Sequence, residues 1–544
     1  MRRFVIFSFL WFLAAAAASA GPTLVYRDDP LLIQARHLAL AAGSTPPSLT
    51  SPMTYSELSL VLDMIDADAL SGDLLDEYRA LRRSIADEPG PEPTGSVGIE
   101  ATVEAYLQTS GDPGAWRHWY PDRRPVLSIP MRAWPVPHLY VEFDLDWRKN
   151  YPFFPGTAFE TVEPNPVSNI PVNLLVTDVQ FPFRALVSLG GERWSVQFGR
   201  SLVSLGSGVS GSLLLSDHVD YHDFLMASVF GRLFTYRALY LDLEAWRTAA
   251  IPVDDRMFFA HRIEMRPFPW LSLAANDAFI YAERPIELRY FNPLMLMHNW
   301  FVPRFGNSLL SFELAVRPLR GVEVYAHLAI EQLQNEVERQ RGYADDEPEA
   351  FGYLAGIEYS QPVRLGGQPA GWLTVGTEWV LLDPWMYLGR TDLNTFSYRR
   401  RVQAEHVLPV GAKVLVEKSL GYPAGPDYYE ILLHGRLDLL SRYSVGFEAR
   451  YGAKGENYIG RSLEVADADD AMRRTPSGDS PELYLHGRIA ADVVVGRFSL
   501  GRVPLEVRSG AIFDALRVLN RGHEDGTTLR DLQLSPYLSI GTRR

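Results

Sequence analysis

The spacing of apolar residues divides the chain into a short N-terminal part and a much longer remainder. Between residues 28 and 87, apolar side chains recur every three or four positions, which predicts three short helices. Thr54 followed by Glu57 three residues later is typical of a helix start with a capping box. We expect the third helix over residues 70–85 and a proline-rich linker over residues 87–93. The pattern therefore predicts a small helical bundle that packs on another part of the protein.

Beyond residue 97, apolar and polar residues alternate with a period of two, which is typical of β-strands. In residues 139–147, apolar side chains occupy one face, and Tyr, Glu and Asp occupy the other. Residues 241–246 and 322–328 repeat this alternation, and residues 531–541 can form a closing strand. The apolar face of such strands packs on a second sheet in a soluble sandwich or contacts lipid in a membrane barrel.

The length of the β region favours the barrel. No second linker or repeat divides the residues after position 97 into the units of roughly 100 residues that sandwiches use. Tilted strands of roughly 9–11 residues would place roughly 16–20 strands in this region. We therefore predict an all-β fold, a large antiparallel transmembrane β-barrel over residues 94–544. The helical bundle and its linker, residues 21–93, would lie in the periplasm.

The first twenty residues resemble an export signal. Two arginines follow Met1, residues 4–18 are apolar apart from one serine, and a small-x-small pattern ends at Ala20. This arrangement predicts a secretory signal peptide over residues 1–20. With the barrel, it predicts a location in the bacterial outer membrane, with membrane lipids as partners.

Composition excludes several classes of protein. The 544 residues contain 66 acidic and 52 basic side chains, and the formal net charge of -14 argues against a nucleic-acid partner. The absence of cysteine excludes disulfide frameworks, thiol nucleophiles and cysteine-ligated metals. We predict no cofactor.

Two segments carry residues of chemical interest. Residues 206–211 match G-x-G-x-x-G, but the segment that follows is too short for the helix of a dinucleotide site, so we interpret it as a tight glycine loop at a strand end or in the lumen. His218, Asp220 and His222 would share one face of a strand, so a metal site is geometrically possible. We favour hydrogen-bonding lumen residues instead and predict no metal and no enzyme. A hydrolase that uses residues 216–218 is the third hypothesis.

Two loops combine aromatic rings with arginines. Aromatic rings stack on the apolar faces of sugars, and guanidinium groups bind carboxylates in a bidentate manner. These loops are therefore our candidate sites for acidic polysaccharide. The alternative is an aromatic girdle whose arginines bind lipopolysaccharide phosphates or lumen carboxylates. The candidate residues are Trp116, Arg117, Trp119, Tyr120, Arg123 and Arg124 in the first loop, and Arg289, Tyr290, Trp300 and Arg304 in the second.

Several motifs between residues 28 and 330 resemble the Wzi-type capsule assembly family. The signature-like segment comprises Phe198-Gly199-Arg200, Leu205-Gly206-Ser207-Gly208 and residues 211–217. Further similar motifs are Asp29-Pro30-Leu31, Ser51-Pro52-Met53, His261-Arg262-Ile263-Glu264, Arg266-Pro267 and Tyr290-Phe291-Asn292-Pro293.

The resemblance implies an 18-stranded outer-membrane barrel with a periplasmic helical bundle and a largely occluded lumen. It also implies a surface lectin that retains capsular or other exopolysaccharide on the cell without enzymatic activity. The alternative is a channel or porin for small solutes, since Glu142, Asp144, Asp242 and Glu244 are expected to face the lumen. The oligomeric state stays open.

Overall fold

The computed structural model describes most of the chain after residue 20. The described residues are 21–70, 72–86, 93–150, 167–171, 177–178, 182–243, 256–282, 286–295, 297, 306–333, 348–391, 393–403, 413–461 and 474–542. The predicted signal peptide and residues 87–92 of the predicted linker lie outside this part. The predicted domain boundaries at residues 20/21 and 93/94 stay predictions.

A closed antiparallel β-barrel of eighteen strands forms the body of the protein, which confirms the predicted fold class. Its first strand has three pieces, β3 (Thr94–Val97), β4 (Glu100–Glu104) and β5 (Leu107–Gln108). The next eight strands are β6 (Leu127–Val136), β7 (Leu139–Trp147), β8 (Arg184–Gly190), β9 (Trp194–Ser201), β10 (His222–Phe230), β11 (Phe234–Leu243), β12 (Arg256–Phe268) and β13 (Leu271–Ala282). Then follow β14 (Gly306–Leu319), β15 (Val322–Gln332), β16 (Ala350–Leu365) and β17 (Gln368–Leu382).

A two-stranded sheet, β18 (Ser397–Gln403) and β19 (Lys413–Ser419), interrupts the barrel order. The barrel resumes with β20 (Tyr428–Leu439), β21 (Tyr443–Lys454), β22 (Glu482–Leu500), β23 (Val503–Leu519) and β24 (Thr528–Thr542). The closing strand predicted over residues 531–541 is confirmed, since β24 pairs with β23 on one side and with β4 and β5 on the other. Closure leaves no free sheet edge along the wall.

The two ends of the barrel differ in their connections. Hairpins such as β10–β11, β12–β13 and β14–β15 close through two or three residues at one end, here called the short-turn end. Most connections at the opposite end, here called the long-loop end, are longer. The longest joins β17 to β20 and spans residues 383–427, of which the structure describes all but 392 and 404–412.

Most strands have an apolar outer face and a polar inner face. In β14, Leu310, Phe312 and Leu314 point outward and are 38–44% exposed, whereas Ser311 and Glu313 point inward and are buried. An outer face of this kind suits contact with lipid. The inward position predicted for Glu142 in β7 is also confirmed, because its side chain is buried.

The expected facing of residues 241–246 is wrong where the structure describes it. Leu241 and Leu243 point inward into a buried apolar cluster, and Asp242 points outward and is exposed. The reversal has a physical cause, since the lumen at this height is filled by apolar side chains of the chain itself. Glu244 lies outside the described residues.

The three predicted helices are confirmed as α1 (Pro30–Ala42), α2 (Tyr55–Leu62) and α3 (Asp73–Ala86). The carboxylate of Asp29 accepts from the amide of Leu31 at 2.8 Å and so caps α1. Two short strands, β1 (Leu24–Val25) and β2 (Met53–Thr54), pair beside these helices. None of the helices in the described residues is long and apolar enough to cross a membrane.

Only half of the predicted capping box of α2 forms. The Thr54 hydroxyl accepts from the amide of Glu57 at 3.2 Å, as expected. The Glu57 side chain does not return to the helix start, because it accepts a hydrogen bond from the buried guanidinium of Arg237 on β11. This residue therefore fastens the bundle to the barrel wall.

The bundle packs on the short-turn end of the barrel. Arg36 forms an ion pair with Glu323 of β15 at 2.8 Å, and the ring of His37 stacks on Trp372 of β17 with 4.7 Å between centroids. Burial lowers the pKa of His37 to about 4, so the ring is neutral at physiological pH. The amide of Gly321 in the β14–β15 turn donates to the carbonyl of Leu40 at 2.8 Å. Side-chain and backbone bonds thus hold the helices against the turns.

Charged side chains inside the barrel are paired. Arg262 bonds to Glu313 and lies 3.2 Å from Glu264, which also bonds to Arg266. Such pairing is required, because a buried charge without a partner costs several kcal/mol. Four arginines are among the largest fully buried side chains, Arg237, Arg256, Arg262 and Arg266.

The Glu57–Arg237 pair gives a test of how the bundle is held. We expect E57A to weaken docking of α2 by about 3–5 kcal/mol, because Arg237 would remain buried without its partner. The double variant E57M/R237M removes both charges and should recover most of the loss. Amide hydrogen exchange of residues 54–62 measures both effects. If the double variant exchanges as fast as E57A, packing and not the ion pair holds the helix.

Candidate functional site

Residues 202–221 and the described residues of 383–427, two connections from the long-loop end, lie in the lumen. Leu213 of the first connection belongs to the same buried apolar cluster as Phe224 on the inner face of β10. The Tyr387 hydroxyl of the second connection donates to the carbonyl of Leu213 at 2.8 Å and so joins the two. These segments fill space that the wall side chains leave empty.

The G-x-G-x-x-G segment forms a tight loop in the lumen, as interpreted from the sequence. Gly206 adopts φ +135°, and a Cβ there would lie 2.2 Å from Oγ of Ser212. At Gly208 an added Cβ would lie 2.0 Å from the carbonyl oxygen of Gly211. No helix follows in residues 212–221, so the segment lacks the helix of a dinucleotide site.

This glycine loop, residues 206–211, is held from two sides. The carboxylate of Glu378 on β17 accepts from the amides of Val209 and Ser210 at 2.7 and 3.0 Å. From the other side, Arg27 of the N-terminal segment donates to the carbonyl oxygens of Gly208 and Val209. The loop therefore connects the N-terminal segment to the barrel wall through the lumen.

Residues 216–218 are not arranged as a catalytic triad. The Ser216 hydroxyl donates to the carbonyl of Ser212 at 3.0 Å, and Asp217 lies 3.7 Å from Arg27. No hydrogen bond among the described residues joins these two side chains to His218. Burial lowers the pKa of His218 to about 3, so its ring is neutral.

The histidine-rich segment faces the β18–β19 sheet. Asp220 lies 3.6 Å from Arg400, and the ring of His222 meets Tyr398 edge to face at 6.4 Å. Within the described ranges, no group of three or more His, Cys, Asp or Glu side chains is placed to hold a metal ion.

The first candidate loop, residues 109–126, folds back against the inner face of β24. The carboxylate of Asp531 accepts from the amide of Ser110 at 2.8 Å. The side-chain oxygen of Gln533 accepts from the amide of Arg117 at 2.9 Å. Two lumen-facing side chains of the closing strand thus fix the path of the loop.

Arg123 lies inside a cage of aromatic rings. Its guanidinium carbon is 4.2 Å from the ring centre of Tyr106, 5.3 Å from that of Trp116 and 5.6 Å from that of Trp119. Cation–π attraction of this kind is strongest where water is excluded, and Arg123 is buried. Trp116 and Tyr120 are buried as well, so these three predicted residues support the loop.

Glu104 is a second anchor of the loop. Its carboxylate is buried and accepts from His118 and Tyr106 at 2.9 Å and from the amide of Arg124 at 3.1 Å. The guanidinium of Arg124 lies 3.8 Å from the ring centre of Tyr537 on β24. Arg124 is therefore also committed to contacts within the protein.

A small cationic cavity lies behind this loop. Its volume is about 20 Å³, enough for one water molecule. Arg123, Arg124, Arg148 and Lys149 line it, and no described carboxylate does. The cavity is too small for a sugar ring.

Two members of the first set remain accessible at the long-loop end. Arg117 is exposed, and its guanidinium carbon lies 5.9 Å from the ring centre of Tyr484 on β22. Trp119 is partly exposed, with Arg123 on one side of its ring. These two side chains combine a guanidinium with an aromatic face, which is the chemistry we expect for an acidic sugar.

The second candidate set lies elsewhere. Tyr290 is buried against the outer wall of β12 and β13, where its carbonyl accepts from Nε2 of His261 at 2.8 Å. Arg289 is exposed beside it. Trp300 and Arg304 lie outside the described residues. Because Tyr290 lies on the outer face of the wall and the first set lies on the inner side, the structure does not unite Arg289 and Tyr290 with the first set.

Sequence reasoning missed the residues that anchor the loops, Glu104, Glu378 and Asp531. The alternation of each strand indicates that these carboxylates point inward. The alternation does not identify their partners, which include loop amides 20, 169 and 421 residues away in the chain. The only sign of these anchors in the sequence is therefore a carboxylate at a strand position predicted to face inward.

Comparison with known proteins gives similarity of fold. No protein-family model matches the chain, and no curated protein sequence matches it. Wzi, an outer-membrane protein involved in group 1 capsule assembly in Escherichia coli and described as a carbohydrate-binding β-barrel, superposes with a TM-score of 0.54 at 12% identity. The match covers 96% of this chain and 99% of that chain. OccD3 (OpdP) from Pseudomonas aeruginosa gives a TM-score of 0.42 at 11% identity, over 83% and 92% of the two chains. The chain thus has the fold of an outer-membrane β-barrel.

The contacts of Glu378 predict how the lumen is kept closed. We expect E378A to release the glycine loop, because two amides would lose their acceptor at a cost of about 1–3 kcal/mol each. In planar bilayers the wild-type protein should show no steady current, and E378A should show openings. E506A, which removes a carboxylate near the short-turn end, is the matched control and should behave as wild type. A silent E378A would mean that other contacts suffice to hold the loop.

Proposed function

We propose that the protein is an outer-membrane β-barrel that binds surface or capsular polysaccharide and anchors it to the cell without enzymatic chemistry. In this proposal it is a distant member of the Wzi-type capsule assembly family. The observation that carries the proposal is the combination of chain segments packed inside the lumen beside β10–β17 with an aromatic and cationic loop at the long-loop end.

The filled lumen supports a surface role over transport. The carboxylate of Glu142, one of the residues that suggested a pore, accepts hydrogen bonds from Tyr26 and Tyr140 and is buried. Arg262 likewise forms buried ion pairs with Glu264 and Glu313. A selective pore needs charged groups that face water, and the charges on this side of the lumen do not. Arg436 and Arg508, which point inward from β20 and β23, are 54% and 50% exposed, so the channel alternative rests on that side of the lumen.

The long-loop end supplies the chemistry for sugar binding. In this proposal the partly exposed ring of Trp119 stacks on a sugar ring, and the Arg117 guanidinium binds a sugar carboxylate. The cage around Arg123 holds the Trp119 ring in place, which lowers the entropy cost of binding. The fold similarity to Wzi, whose description names carbohydrate binding, agrees with this proposal.

The orientation follows from the two ends of the barrel. Outer-membrane barrels have short turns toward the periplasm and longer loops toward the outside. With this orientation the helices face the periplasm and the Arg117–Trp119 loop faces the cell exterior. The predicted signal peptide over residues 1–20 would supply the export step.

Retention of surface glycan by the purified barrel tests the proposal. We expect the wild-type protein to bind polysaccharide extracted from its own cells and R117Q/W119A to bind about tenfold more weakly, a loss of about 1.4 kcal/mol. Biolayer interferometry with immobilised glycan gives the two dissociation constants.

R474Q is the charge-matched control, because Arg474 is exposed in another long connection. It should bind like wild type. Folding of every variant is checked by heat-modifiable gel mobility. If the folded wild-type protein retains none of its own surface glycans and instead conducts a steady current, the channel for small solutes becomes the better assignment.

A further inference from the structure

A cavity of about 660 Å³ opens at the short-turn end, between the bundle and the barrel. Residues 63–66, which follow α2, form one side of it. The turns of the β8–β9, β10–β11 and β12–β13 hairpins form the other sides. Its volume lies within the range of sites that hold small-molecule ligands.

The mouth of this cavity carries exposed apolar side chains. Leu233 and Phe234 of the β10–β11 hairpin are 61% and 47% exposed, and Phe268 of the β12–β13 hairpin is 52% exposed. Phe268 stacks on the exposed Trp270, with 5.5 Å between ring centres. Aromatic residues gather in this way where a membrane meets water. The cavity therefore lies at the level of lipid headgroups.

Two arginines stand beside these apolar groups. One guanidinium nitrogen of Arg232 donates to the carbonyl oxygen of Asp63 at 3.0 Å, and the rest of the side chain is exposed. Arg193 is exposed, and its side chain makes no hydrogen bond or ion pair with the described residues. Two carboxylates also line the cavity. Asp63 is bound to Arg82 and Asp66 accepts from the amide of Asp68, so neither forms an ion pair with these two arginines among the described residues.

Arg266 adds a third cation to the cavity lining. It is fully buried and bonds to Glu264 through Nη2. Its Nε and Nη1 have no hydrogen-bond partner in the described part of the chain. An anion at the cavity mouth would reduce the electrostatic cost of this buried guanidinium.

We propose that this cavity binds a phospholipid of the inner leaflet. The phosphate diester lies between Arg193 and Arg232, and an acyl chain runs along Leu233, Phe234 and Phe268. Because Arg232 also holds the carbonyl of Asp63, the lipid ties the helical bundle to the plane of the membrane. The inference rests on the membrane location in the proposed function but not on polysaccharide binding.

Native mass spectrometry of the delipidated full chain in detergent tests the proposal, with phosphatidylglycerol as the probe. We expect the wild-type protein to bind one phosphatidylglycerol molecule more tightly than any further ones. R193Q/R232Q should bind that molecule about tenfold more weakly. R320Q/R502Q removes two exposed arginines from other turns at the same end and should bind like wild type. Equal lipid binding by wild type and R193Q/R232Q would overturn the proposal.

A second variant fills the cavity without changing its charge. A Cβ at Gly231 would lie at van der Waals distance from the Phe234 ring, 3.5 Å, and from the Arg193 guanidinium, 3.6 Å, so the side chain of G231L would start inside the cavity without a backbone clash. It should reduce lipid binding as strongly as loss of the arginines. Wild-type lipid affinity in G231L would place the lipid elsewhere and overturn the proposal.

Two further arms separate the possible sources of phosphate and the two proposals. Inorganic phosphate in millimolar excess should leave the lipid bound, and full displacement would identify free phosphate as the ligand and overturn the lipid proposal. R193Q/R232Q should retain surface glycan as wild type does. Loss of lipid with glycan retained supports this site, because it shows that the two functions are independent.

Discussion

The interior of an eighteen-stranded barrel is too wide for wall side chains to fill, and every polar group taken into it must find a partner. This constraint organises the rest of the molecule. Residues 202–221 and the described residues of 383–427 enter from the long-loop end, and the helical bundle packs on the short-turn end. The inward carboxylates of Glu313 and Glu378 are then satisfied by Arg262 and by loop amides. The wall and its filling stabilise each other.

The same constraint decides which residues are left for function. A loop rich in Trp and Arg supplies excellent partners for inward carboxylates and for its own rings. Trp116, Tyr120 and Arg123 are buried in such contacts, and His118 donates a hydrogen bond to Glu104. The groups that remain free to bind a ligand are those that form no contacts inside the lumen. The surface available for binding is therefore smaller than the Trp and Arg content of the loop suggests.

This division also explains how far the sequence could predict the protein. Period-two alternation and helix caps are local, so the barrel, the closing strand and the start of α2 could be predicted. The partner that a side chain finds in the folded protein is not determined by its neighbours in the sequence. Glu57 leaves its capping box for Arg237, which is 180 positions away in the chain. Likewise, Tyr290 packs on the outer wall, and the apolar face of β11 turns inward because the lumen is occupied. Those outcomes depend on three-dimensional packing, which alternation does not encode.

The contacts across the lumen also mean that its two ends are not mechanically independent. Arg27 and Glu378 bind the same two peptide units of the glycine loop, one through carbonyl oxygens and the other through amides. A peptide unit bonded on both sides polarises, so each bond strengthens the other. Withdrawal of the N-terminal segment would therefore weaken the hold of the wall on a loop that the Tyr387 connection also contacts through Leu213. The N-terminal segment, the wall and the long-loop connections are therefore joined through one set of bonded groups in the lumen rather than through two separate plugs.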